Sequence, residues 1–127
     1  MGLNIGVGQS AKTRSHEPSM ALEDDGYFWF LWPHFDRLSA ETGQTMDLYG
    51  DASFSGESLT AIERALALAT SQVENQPKSW EVSIGTTSAG EVYRTVWRRQ
   101  FLDLIAEFSV VITRCRVLGQ PLVCIGD

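Results

Sequence analysis

Asp51 and Asp47 are the residues whose spacing best suits acid–base or metal chemistry. They lie in and beside the junction Tyr49-Gly50-Asp51-Ala52-Ser53-Phe54-Ser55-Gly56, which joins a predicted strand to a predicted helix. In α/β folds ligands gather at the carboxyl ends of strands. A carboxylate placed there could bind a metal or serve as a general base. The competing and commoner reading is a turn aspartate bonded to its own backbone. The junction lacks the glycine spacing and the lysine of a phosphate cradle. His34, close to Trp32 and Asp36, is a candidate base, but no motif pairs it with a serine or cysteine nucleophile. A surface or capping role is the simpler reading, with the side chain pointing outward. Cys115 and Cys124 do not have zinc-ligand spacing. No cofactor and no metal is expected.

The densest chemical signal is apolar. Tyr27, Phe28, Trp29, Phe30, Trp32 and Phe35 fall within nine residues. Such a run must be buried on most sides or must meet a partner. Glu23, Asp24 and Asp25 stand immediately before it. They read either as a solvated turn or as an acidic rim around aromatic anchors, an arrangement common at interfaces. Residues 21–91 carry twelve acids against Arg37, Arg64 and Lys78, within a chain of net charge −6. That balance repels nucleic acid and anionic membranes and attracts basic partners. Arg98 and Arg99 open the last predicted helix, the unfavourable end of its dipole for cations. A structural pairing elsewhere is the favoured explanation.

These residues need elements to hold them. Leu3, Ile5 and Val7 alternate with smaller residues and predict a strand. Residues 9–19 read as a loop, with Met20 as an alternative start. Pro33 to Thr42 reads as a helix stopped by Gly43, and Tyr27 to Trp32 before it as a helical turn or a buried strand; the spacing of Tyr27, Leu31, Phe35 and Leu38 favours a helix kinked at Pro33. A short strand follows over Thr45 to Tyr49. Residues 57–75 predict a helix with Ser55 as its N-cap and Pro77 beyond its end. Trp80, Val82 and Ile84 predict a half-buried strand, with a hairpin partner over Val92 to Val96. Trp97, Phe101, Leu104, Ile105, Phe108, Val111, Ile112, Cys115 and Leu118 mark one face of a last helix. Leu122, Val123 and Ile125 close the chain as a strand apolar enough for a central position.

At 127 residues the chain is read as one domain. The fold class is α/β or α+β, with about three helices packed on a mixed four- or five-stranded sheet. The cysteines read as free core residues. No secretory leader is apparent, and the longest apolar stretch, Tyr27 to Trp32, is far too short to span a membrane. A cytoplasmic protein is expected.

Three stretches carry a resemblance: Trp32 to Phe35, Thr42 to Gly56, and Val123 to Asp127. They resemble small uncharacterised bacterial proteins, some of which are similar to immunity proteins of polymorphic-toxin systems. Those are small, acidic, cytoplasmic α/β proteins. The resemblance implies protein binding without catalysis and names no active-site residues. The leading expectation is therefore a non-catalytic binding protein for a basic protein partner, with Asp24, Asp25, Trp29, Trp32, His34, Asp47 and Asp51 as candidate contacts. The alternative is a small enzyme or ligand-binding domain built on Asp51, Asp47 and His34. A homodimer burying the aromatic run is the third possibility.

Overall fold

The computed structural model describes residues 2–8 and 19–126. The predicted loop over 9–19 therefore lies almost wholly outside the described residues. The elements in chain order are β1 (Gly2–Val7), β2 (Met20–Glu23), α1 (Gly26–Thr42), β3 (Ala52–Phe54), α2 (Glu57–Glu74), β4 (Ser79–Thr87), β5 (Gly90–Trp97), α3 (Arg98–Leu118) and β6 (Leu122–Gly126). The class is α+β. Three helices pack on a four-stranded sheet of order β2-β1-β6-β3, and β4 and β5 form a separate hairpin. Every pairing in the described sheets is antiparallel, where a mixed sheet was expected.

Strand alternation explains the sheet. Leu3, Ile5 and Val7 are fully buried, and Met20, Leu22, Ala52, Phe54, Leu122 and Cys124 join them in the same core. β6 sits between β1 and β3, the central place its apolar run predicts. The short strand expected at Thr45 to Tyr49 does not form. Met46 and Leu48 are buried as their alternation suggests, but Asp47 turns the chain there. Its Oδ1 accepts from the Tyr49 N–H at 2.9 Å. The paired strand begins later, at Ala52, where Ala52 and Phe54 point inward. Burial alternation alone does not distinguish these two segments.

α1 extends over both sides of Pro33. Asp25 caps its start, accepting from the N–H groups of Tyr27 at 3.0 Å and Phe28 at 3.3 Å. Gly43 ends it in the left-handed conformation, with φ of 76°. His34 is not outward but 95% buried, since it lies three residues beyond Leu31 on the same stripe. Its Nε2 is 3.0 Å from Gln72 Oε1 on α2. The N-cap of α2 is Gly56 rather than Ser55. The Ser58 hydroxyl instead accepts from the Ser55 N–H and donates to the Ser55 carbonyl, both at 2.7 Å.

The aromatic run is spent mainly inside the molecule. Phe30 meets Trp80 at 5.2 Å and Phe101 at 5.3 Å, joining α1 to β4 and α3. On the other side of α1, Phe28 meets Trp29, Trp32 and Phe35 at 5.2–5.9 Å. α3 buries Phe101, Ile105, Phe108, Val111, Ile112 and Cys115 as marked. Trp97 and Leu118, at the two ends of that stripe, are exposed by 44% and 40%, and Leu104 is half-buried. The Arg98 guanidinium donates to the Gln76 carbonyl at 3.0 Å. That carbonyl lies just past the negative end of α2, so Arg98 stabilises the C-terminus of its neighbour rather than pairing with an acid.

Cys115 and Cys124 are free and buried. Burial pushes the Cys115 thiol up to about 11. It raises Cys124 further, with Cys115 nearby adding to the shift. Thiolate is the reactive form, so both should react slowly in the folded protein. Unfolding without reductant should release two titratable thiols; finding none would show that they are bridged.

Candidate functional site

The sheet register gathers most of the candidate residues at one end. Gly2 pairs with Glu23, and Leu3 pairs with both Leu22 and Gly126. Ala52 pairs with Cys124. The end of β2, the start of β1, the end of β6 and the start of β3 therefore share one edge of the sheet. The chain leaves β2 through Glu23, Asp24 and Asp25 at one corner. It enters β3 through Asp51 at the other. Three strand spacings separate the corners, roughly 14 Å.

The first corner couples acids to aromatics. Trp29 lies in the first turn of α1, half-buried, and its Nε1 donates to Asp24 Oδ1 at 2.8 Å. Trp32, one turn on, faces Trp29 at 6.1 Å and stacks on the buried Phe28. A separate cleft of about 220 Å³ is lined by Ala21, Leu22, Glu23, Asp25, Tyr27, Gln100 and Leu104. Tyr27 is fixed there. Its hydroxyl donates to Gln100 Oε1 at 2.6 Å and accepts from the Trp97 N–H at 3.2 Å. The cleft has apolar walls and two carboxylates, a shape and charge suited to the stem and head of a basic side chain.

The second corner is built by close approach. A Cβ on Gly126 would lie 2.5 Å from Gly50 N and 2.7 Å from both Gly50 O and Leu48 O. Only glycine admits the 46–51 loop this near to β6. The Gly126 N–H then donates to the Gly50 carbonyl at 3.0 Å and to Asp51 Oδ1 at 3.2 Å. Asp47 bonds the Tyr49 N–H two residues on, as turn aspartates do, whereas Asp51 bonds the distant Gly126 N–H on β6. His34 stands apart from them. It lines a cleft of about 140 Å³ between α1 and α2 with Arg37, Leu38, Glu41, Ala61 and Arg64. Its Nδ1 has no hydrogen-bond partner among the described residues. Among the described residues no three His, Cys, Asp or Glu side chains are placed to hold a metal ion.

No ion pair among the described residues neutralises Glu23, Asp24, Asp25, Asp47 or Asp51. The pairs present are Arg64 with Glu41, and Arg116 with Glu63, both between helices. Tyr27, Gln100 and Leu104 are the site residues that sequence reading does not single out. Gln100 meets Tyr27 from 73 positions further along the chain, and no local pattern announces such a contact.

Asp25 feels opposing influences. Burial raises its carboxyl above the usual 3.8, as do the charges of Glu23 and Asp24, while the Phe28 and Tyr27 N–H groups pull it down. The net direction is upward. Between 3.8 and the raised value the folded protein holds a proton that the unfolded chain has lost. Asp25 thus contributes to stability below 3.8, and that contribution is lost as pH rises through its folded pKa. Carboxyl NMR should place its midpoint above 3.8. Asp25→Asn, itself a good N-cap, should remove this component from the pH dependence of urea unfolding. A midpoint at or below 3.8 would contradict the assignment.

Comparison with protein-family models, with curated proteins and with solved structures finds no match.

Proposed function

We propose that the chain is a non-catalytic protein-binding domain that docks a basic protein partner on the acidic end of its sheet. The observation that carries this reading is the acidic turn Glu23-Asp24-Asp25, in which Asp24 holds the Trp29 indole while Glu23 and Asp25 line a cleft. Half-buried indoles supply desolvated anchor area, and the surrounding carboxylates speed and orient encounter. Asp47 and Asp51 extend the same sign of charge across the sheet end. An immunity-type role, the neutralising of a basic toxin in a bacterial cytoplasm, fits this surface and the two unbridged thiols.

The test uses a partner captured from host extract and measures its association at rising salt. The on-rate should fall steeply as salt screens the carboxylates. Glu23 and Asp24 together reversed to lysine should slow association with little change in the urea midpoint, Asp51 being left intact because its carboxylate holds the Gly126 N–H. Asp25 is left intact because it caps α1. Equal on-rates at low and high salt would overturn the acidic-surface reading. A hydrolytic activity abolished by Asp51→Asn would replace it with an enzyme.

A further inference from the structure

The cleft of about 140 Å³ between α1 and α2 is walled largely by hydrocarbon, from Leu38 on α1 and from Ala61, Ala65 and Leu68 on α2. Ala61 and Ala65 are one turn apart on one face of α2, and their small side chains leave it open. Leu68, on the next turn, is 51% exposed. An apolar cavity of about 150 Å³ is room enough for a benzene ring. Two bonds between the helices mark the ends of the cleft. At one end His34 Nε2 lies 3.0 Å from Gln72 Oε1. At the other Arg64 donates to Glu41 at 3.3 Å. His34 and Glu41 are seven residues apart on α1, about 10 Å along its axis.

Two polar groups of the cleft are left unmatched. An amide oxygen only accepts, so the His34 proton sits on Nε2 and Nδ1 is a bare acceptor. Nδ1 is buried without a partner among the described residues, and such an atom is costly to leave unpaired. His34 lines the cleft and Gln72 does not, so the bonded corner of the ring is turned away from the opening. The second group is Arg37. Glu41 neutralises Arg64, but no acid or hydrogen-bond acceptor meets Arg37 among the described residues. The cleft is thus a local positive spot on a chain of net charge −6. We propose that it binds a small aromatic hydroxy acid. The ring lies on Leu38, Ala61, Ala65 and Leu68, the carboxylate meets Arg37, and a hydroxyl at the far end donates to His34 Nδ1. A ring substituted at opposite ends, with a hydrogen bond at each, matches the length of the cleft. The imidazole need only turn slightly to meet the hydroxyl, held as it is by the exposed Gln72. This cleft shares no lining residue with that of Glu23 and Asp25, so this site and the acidic docking end can fail separately.

Calorimetric titration of the full chain with 4-hydroxybenzoate tests this. The expected Kd is on the order of 100 μM. Benzoate, which lacks the hydroxyl, and 4-hydroxybenzamide, which lacks the charge, should each bind about tenfold more weakly. His34→Phe should remove the advantage of 4-hydroxybenzoate over benzoate. Arg37→Gln should remove its advantage over 4-hydroxybenzamide. Ala65→Leu should fill the cleft and abolish binding of all three. Arg37 is exposed and unbonded, so its variant should keep the urea midpoint of the parent and decides the matter even if His34→Phe does not fold. Absence of binding at millimolar 4-hydroxybenzoate overturns the proposal. Undiminished binding in a folded Ala65→Leu variant overturns the cleft as the site. Equal affinity for the three probes overturns the roles given to His34 and Arg37.

Discussion

A chain shortened to begin at Met20 should not fold. β1 lies between β2 and β6 in the sheet order β2-β1-β6-β3. Its removal takes away Leu3, Ile5 and Val7, each fully buried. Three such side chains contribute about 5–9 kcal/mol at about 1.5–3 kcal/mol each. A whole domain is stable by only about 5–15 kcal/mol. The loss does not end with those side chains. β2 is an edge strand whose one neighbour in the sheet is β1, so Met20 and Leu22 lose the ladder that holds them in the core. The central strand β6 would also gain a bare edge, an aggregation hazard. Far-UV circular dichroism and urea titration of the shortened chain should show no cooperative transition. A transition with the slope of the full chain would mean that β1 is dispensable and that the sheet is wrongly ordered.

Phe101→Ala should cost about 3–5 kcal/mol, the range for a buried phenylalanine. Its ring is fully buried where three elements meet. It lies 5.3 Å from Phe30 on α1, 6.3 Å from Trp80 on β4 and 5.9 Å from Tyr27. The truncation would open a cavity among rings too rigid to collapse into it. It would also loosen the hairpin, whose Trp80 packs between the same neighbours. Ile105→Ala, on the same buried stripe, should cost about 2–5 kcal/mol. Leu104→Ala should cost less than Ile105→Ala, because Leu104 is half-exposed at the cleft and not enclosed by the core. Urea melts of the three variants decide this. A loss under about 1 kcal/mol at Phe101 would place it outside the class of buried large-to-small changes. Equal losses at Leu104 and Ile105 would show that the two are equally enclosed.

The candidate site was legible only in pieces. Glu23, Asp24 and Asp25 before an aromatic run announce an acidic, apolar corner, and the structure does place Trp29 on Asp24. The fold also sets Asp51 at the same end of the sheet, which no spacing argument requires. The distance from Asp24 to Asp51 along the chain says nothing about it. What brings them to one edge is the antiparallel register of β2, β1, β6 and β3, a long-range matter. The grouping of His34 with Asp47 and Asp51 fails for the same reason. Its place on the Leu31–Phe35 stripe was visible in the helical period. That its imidazole would meet Gln72 required the position of α2.

Local physics was enough for the helices and most strands. Their periods, glycine stops and proline limits are properties of a few neighbouring residues, and helical burial repeats wherever the pattern is long. Short segments were another matter. Met46 and Leu48 alternate as convincingly as Ala52 and Phe54, yet only the second pair joins a ladder, because β6 is there to accept it. Hydrogen-bond partners of a strand lie far away in sequence, so register and sheet order belong to the tertiary structure. The aromatic run illustrates the division. Its composition alone determined that these side chains must leave water. Only the packing of α1 against α2, the hairpin and the sheet decided that Phe28 and Phe35 would be fully buried, while Trp29, Phe30 and Trp32 would keep an edge at the surface.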